Sequence, residues 1–196
     1  MKKLKLFIGL SISILFISTF AFSQKTSDTL AENATLAETQ AWLVKVIGKN
    51  GTFHAGGAKK YLSDLKFDGS KFTYTMRSEL VPGDSPEDNT PTGSDSNARE
   101  ELGASSSATV FKFDLKDMDG DNVLVKPVPG VSKMSAVILQ SMPGQNSVSV
   151  TTPLKRNSSL ATKPTASMIV KDGVAEQIKA AFAHAIKLCQ APGSQP

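Results

Sequence analysis

The chain has 196 residues, of which 22 are basic and 18 acidic, for a net charge of +4. Lys2, Lys3 and Lys5 sit in a leader without acidic residues, so the rest of the chain holds 19 basic and 18 acidic side chains, a net of +1. This balance excludes a strongly cationic nucleic-acid binder as the default. The single Cys189 excludes an intrachain disulfide and a cysteine-based zinc cluster, and two histidines, His54 and His184, argue against a His-rich metal site.

Residues 1–23 carry a lysine-rich start, an apolar run from Leu6 to Phe22 and small residues at Ala21 and Ser23. That is the pattern of a signal peptide cleaved before Gln24, with an apolar run short for a membrane span. No later stretch is long and apolar enough to span a membrane, so the mature chain is expected to be exported, periplasmic or secreted, without a transmembrane segment.

Residues 24–34 read as a flexible lead. Thr35 and Glu38 then form a capping box for a helix over Leu36–Ile47, ended by Gly48, Asn50 and Gly51. Its apolar face carries Leu36, Trp42, Leu43, Val46 and Ile47. The glycine-rich stretch 51–58 is expected to hold no regular element. Tyr61–Phe67 and Lys71–Leu80 read as a hairpin turned at Asp68-Gly69, with Phe72, Tyr74 and Met76 on one face.

Residues 81–107 hold three prolines, three glycines, six acidic residues and only Arg99 as a base, a local net of −5. This reads as a mobile acidic loop. Strands are then expected at Thr109–Leu115, Val123–Val128, Lys133–Met142, Ser147–Thr152 and Thr165–Lys171, with Pro153–Pro164 as a loop. Asp172 is the expected N-cap of a final helix. That helix places Val174, Ile178, Ala181, Phe182, Ala185, Ile186 and Cys189 on one face.

The organisation is thus a signal peptide (1–23), a lead (24–34), one α+β domain (35–190) interrupted by the acidic loop, and a tail (191–196). The fold class is α+β: about seven antiparallel strands as a barrel or sandwich, with an N-terminal helix and a C-terminal amphipathic helix. Both helices are expected to dock on the sheets, burying Trp42, Leu43, Val46, Ile178, Phe182 and Ile186.

The text Glu38-Thr39-Gln40-Ala41-Trp42-Leu43, the closing helix Ala181–Cys189 and the leader end Phe22-Ser23-Gln24 resemble small uncharacterised exported proteins of Bacteroidetes. That resemblance implies export and no particular activity. The order of strands followed by one amphipathic helix is similar to pleckstrin-homology-like barrels, a likeness of architecture that carries no function.

Motifs of catalysis are incomplete. Asp117, Asp119 and Asp121 alternate as in a calcium loop, but Asn122 and Val128 stand where Gly and Glu are needed. Ser63 and Lys66 have S-x-x-K spacing without its companion motifs, and in a regular strand they would point to opposite faces. Gly51 and Gly56 match a P-loop in which Gly57 replaces the lysine. No base or carboxylate near His54 or His184 completes a triad, and Asp114 and Asp117 would have to converge with them to make an active site. Cys189 is expected to be buried and inert. No cofactor is implied.

One asymmetry remains. Residues 122–171 contain Lys126, Lys133, Lys155, Arg156, Lys163 and Lys171 and no acidic residue. These form a candidate anion-binding surface for an anionic protein, glycan or lipid head group. The expected function is an exported, non-enzymatic binding or interaction module. An envelope-associated structural protein, or a hydrolase whose site is hidden by sequence distance, is the alternative.

Overall fold

The computed structural model describes residues 30–31, 33–80, 107–153 and 158–191. The leader, the acidic segment up to residue 106, Lys155 and Arg156, and the tail from 192 lie outside the described residues.

Helix α1 (Leu36–Asn50) starts at the expected capping box: the Glu38 amide donates to Thr35 Oγ1 and the Thr35 amide donates to Glu38 Oε2, the latter at 2.8 Å. The Thr35 amide and the Thr35 hydroxyl both donate to this carboxylate and hold the Glu38 carboxyl below its ordinary range. The helix runs three residues past the expected end, until the Gly51 amide caps the Ile47 carbonyl at 2.8 Å. Gly51 is required by packing: a Cβ there would lie 2.8 Å from Leu62 Cδ1.

Among the described residues nine antiparallel strands follow, two more than expected. They are β1 (Thr52–Ala55), β2 (Ala58–Asp68), β3 (Lys71–Leu80), β4 (Ser107–Asp114), β5 (Leu124–Pro127), β6 (Met134–Gln140), β7 (Val148–Pro153), β8 (Ser158–Lys163) and β9 (Thr165–Lys171). A single 3-10 turn, Leu115–Asp117, follows β4. The large sheet has the order β1-β2-β3-β4-β7-β8 and the small sheet the order β5-β6-β9. The two do not close into a barrel, so of the two expected architectures the sandwich is the one that fits.

The two unexpected strands, β1 and β8, are the edges of the large sheet. β1 forms because Gly56 and Gly57, at φ 60° and 68°, make the two-residue turn that pairs Ala55 with Ala58. The β2–β3 hairpin turns on Gly69-Ser70, one residue later than expected, with Gly69 at φ 56°. β8 runs against β7, and Pro164 alone separates it from β9 in the other sheet.

The core lies between the sheets and helix α2 (Asp172–Gln190). β3 and β4 turn Phe72, Tyr74, Phe111 and Phe113 inward, and β7 adds Val148 and Val150. From the small sheet come Val137, Leu139, Ala166, Met168 and Val170; in β9, therefore, Met168 and Val170 face inward and Ser167 and Ile169 outward. Phe182 of α2 meets Phe72 edge-on, with ring centres 5.7 Å apart. Ile178 and Ile186, one turn to either side, are fully buried.

Two expectations about the helices are corrected. The N-cap of α2 is Lys171 and makes no side-chain cap bond; Asp172 is the first helical residue, and its carboxylate accepts from Ser135 Oγ at 2.7 Å. A neighbouring strand thus takes the oxygen that would otherwise cap. Trp42 is only partly buried, because it stands at the rim of the α1–α2 contact.

If Phe182 is the keystone of helix docking, Phe182→Ala costs about 3–5 kcal/mol of stability, as large-to-small changes do in cores. Unchanged thermal melting of this variant contradicts the docking. Gly51→Ala lowers stability by about 1–3 kcal/mol through overpacking against Leu62. Melting equal to that of the parent contradicts that contact.

Candidate functional site

Register decides which basic residues meet. In the small sheet Val125, Val137 and Met168 form one cross-strand row that faces the core. The adjacent rows must face the other way. They are Lys126, Ala136 and Ile169, and Leu124, Ile138 and Ser167. Lys171, opposite Met134, lies on that same outer face.

Lys126 and Lys171 are exposed, and Leu124, Ala136, Ile138 and Ile169 are partly exposed. Lys133 joins them at one end. It adopts φ 60° in the turn before β6, and its carbonyl accepts the Asp172 amide at 3.0 Å. Beside it lies a hollow of about 630 Å³ whose lining includes Lys133, Met134, Lys171, Asp172 and Gly173. The exposed Asp172 accepts from Ser135 Oγ at 2.7 Å, so this end of the face carries one acid beside its lysines.

Three of the six candidate residues, Lys126, Lys133 and Lys171, therefore share one face and one end of the small sheet. Lys163 does not join them. It pairs with Val148 on the edge strand β8 of the large sheet, and Pro164 alone separates it from the start of β9, the end opposite Lys171. Lys155 and Arg156 lie outside the described residues. The apolar members Leu124, Ile138 and Ile169 were missed as site residues. Their signal was present: Ala136-Val137-Ile138-Leu139 is an unbroken apolar run, as in a strand covered on both faces. The fold packs only one of those faces against the core.

A second concavity, about 780 Å³, lies on the outer face of β2–β4. Its origin is a bulge. Ser63 pairs with Thr75 and Lys66 with Thr73, so Asp64 and Leu65 of β2 together stand opposite Tyr74 of β3. Ser63 and Lys66 therefore share the outer face, which corrects the opposite-face expectation. Asp64 carries the bulge at φ 53°. Arg77 holds it there, donating from Nη2 to Asp64 Oδ2 at 3.0 Å and from Nε to Ser63 Oγ at 2.9 Å. Hydrogen bonds from Arg77, Thr75 and Ser63 keep the Asp64 carboxyl below its ordinary range. Charge alternates in this groove: Lys66, Thr73 and Lys112 form one row and Asp68, Lys71 and Asp114 the next. It has no single sign to offer a ligand.

The other candidates are absorbed by structure. Asp119 accepts from the Asp121 amide and from Asn122 Nδ2, both at 3.0 Å, and Asp121 pairs with Lys187 at 3.1 Å. The alternating aspartates thus build a turn and anchor α2. Among the described residues no cluster of three or more His, Cys, Asp or Glu could hold a metal ion.

The four residues whose convergence would mark an active site stand apart. Asp114 accepts the Lys116 amide and lines the β2–β4 groove. The Asp117 carbonyl accepts the Met142 amide. His54 is exposed on β1. His184 bonds the Ala34 carbonyl at 2.8 Å and lines a separate hollow of about 410 Å³ with Leu30 and Trp42. Trp42 Nε1 is buried there with no hydrogen-bond partner among the described residues. Cys189 is buried, and burial pushes its thiol pKa up, which keeps it protonated and slow to react.

The bulge makes a pH prediction. A carboxyl held below its ordinary range stabilises the fold above that range and loses its contribution as pH falls through it. Acid therefore weakens the parent chain more than it weakens Asp64→Asn. Melting curves whose acid limbs coincide count against the Arg77 anchor. No family model matches this chain, and no curated protein or solved structure matches it either.

Proposed function

We propose that this chain is an exported, non-enzymatic binding module whose working surface is the outer face of the small sheet. The leader pattern of residues 1–23 supports export to a periplasmic or extracellular setting. The observation that carries the binding role is the register of β5, β6 and β9. It sets Lys126 and Lys171 on one outward face with Lys133 at its end, and no acidic side chain in those three strands shares that face.

Like charges held together by a ladder repel one another. An anionic partner relieves that repulsion and releases counter-ions, so affinity falls with salt. Asp114, Asp117, His54 and His184 do not meet in one concavity, which weighs toward binding rather than hydrolysis at those residues.

The test is calorimetric titration of the mature chain with dextran sulfate, a soluble polyanion, at low and high salt. Binding at low salt that weakens with salt, and that falls at least about tenfold in the doubly charge-reversed K126E/K171E variant, is expected. No binding at low salt overturns the reading. So does a K126E/K171E variant that melts like the parent and binds as well.

A further inference from the structure

The lysines occupy only part of that face. Between and beside them lie Leu124, Ala136, Ile138 and Ile169, all partly exposed and outside the buried core cluster. Leu124 stands directly opposite Ile138 across β5 and β6, and Ile169 lies opposite Ala136 across β6 and β9. This is a contiguous aliphatic strip on a three-stranded sheet, bordered by Lys126, Lys133 and Lys171.

A soluble glycan or a charged peptide would use the lysines and leave the aliphatic strip wet. A bilayer surface of anionic lipid uses both. Its phosphates sit at the level where lysine ammonium groups end, and its acyl boundary receives apolar side chains that project between them. Lysine suits this geometry because its aliphatic stem lies along apolar surface while the charge reaches the head groups.

We infer that the outer face of the small sheet docks the protein on an anionic lipid surface, with Leu124, Ile138 and Ile169 entering the interface and Lys126, Lys133 and Lys171 meeting lipid phosphates. The inference rests on the anion-binding reading above and goes beyond it by naming the partner. Among the described residues no helix is long and apolar enough to cross a bilayer, so the association drawn here is peripheral.

The experiment is flotation of the mature chain with phosphatidylglycerol vesicles and with phosphatidylcholine vesicles, at low and high salt. Dextran sulfate titration is run on the same samples. The variants are K126E/K171E, Ile138→Ser and Ile169→Ser, each checked for parental melting. Ile138 and Ile169 lie outside the core cluster, so both serine variants are expected to fold.

Flotation with the anionic vesicles alone, weakened by salt and by K126E/K171E, is the first expected result. The second is that the serine variants lose vesicle affinity by about fivefold or more while titrating dextran sulfate like the parent. If the parent binds dextran sulfate but not anionic vesicles, the lipid inference falls and the anion-binding reading stands. Serine variants that float like the parent have the same consequence. If K126E/K171E changes neither measurement, both fall.

Discussion

The two sheets share no ladder, so their relative position depends on what crosses the gap between them. Two side chains of β3 reach out of the large sheet, one to the small sheet and one to α2. The Tyr74 hydroxyl donates to the Ser167 carbonyl of β9 at 2.9 Å, and Phe72 receives the edge of Phe182 from α2. Tyr74 is fully buried, and burial pushes its phenol pKa far up, so it remains a hydrogen-bond donor at any physiological pH. A typical intramolecular hydrogen bond contributes about 0.5–1.5 kcal/mol net, and this one ties β3 of one sheet to β9 of the other. Tyr74 also stacks on Phe111 with ring centres 4.8 Å apart, so its hydroxyl is aimed by packing before it is held by Ser167.

The exposed face of the small sheet is a consequence of that arrangement. Helix α2 packs on β5, β6 and β9 from the core side, and α1 packs on α2 and β2. Both helices are thereby committed to covering inner surfaces. On the other face Lys126 is exposed and Ile138 and Ile169 are partly exposed. A sheet whose strands read apolar on both faces but which is covered on one has surface to spare. Lys126 and Lys171 give that face positive charge.

The parts legible in the sequence are those where local chemistry and burial agree. The capping box fixed the start of α1, and the stripe from Ile178 to Cys189 identified α2 and its buried face. Alternation found β3, where Phe72 and Tyr74 face in and Lys71 and Thr73 face out. The edge strands escaped for a physical reason. β8 has no buried side to impose a pattern: the side chains from Ser159 to Lys163 are all exposed, and it is a strand because β7 supplies hydrogen bonds. β1 was obscured by glycines that looked like loop and were in fact its turn. The bulge at Asp64 was invisible because it depends on Arg77, thirteen residues away in sequence, and it reversed the expected geometry of Ser63 and Lys66. Within the candidate site the charges were legible and the apolar half was not, since only register reveals that Ile138 and Ile169 share a face with Lys126.

The most direct measurement is methyl NMR of residues 24–196 bound to anionic bilayers doped with a nitroxide-labelled lipid. The structure offers two more exposed hydrophobic side chains, Leu160 at 72% and Leu80 at 56%, both on the large sheet, so exposure alone would choose them. Docking through the small sheet requires a different outcome: the methyl signals of Leu124, Ile138 and Ile169 broaden together, while those of Leu80 and Leu160 keep their intensity. Broadening centred on Leu80 or Leu160, with the small sheet unaffected, contradicts it.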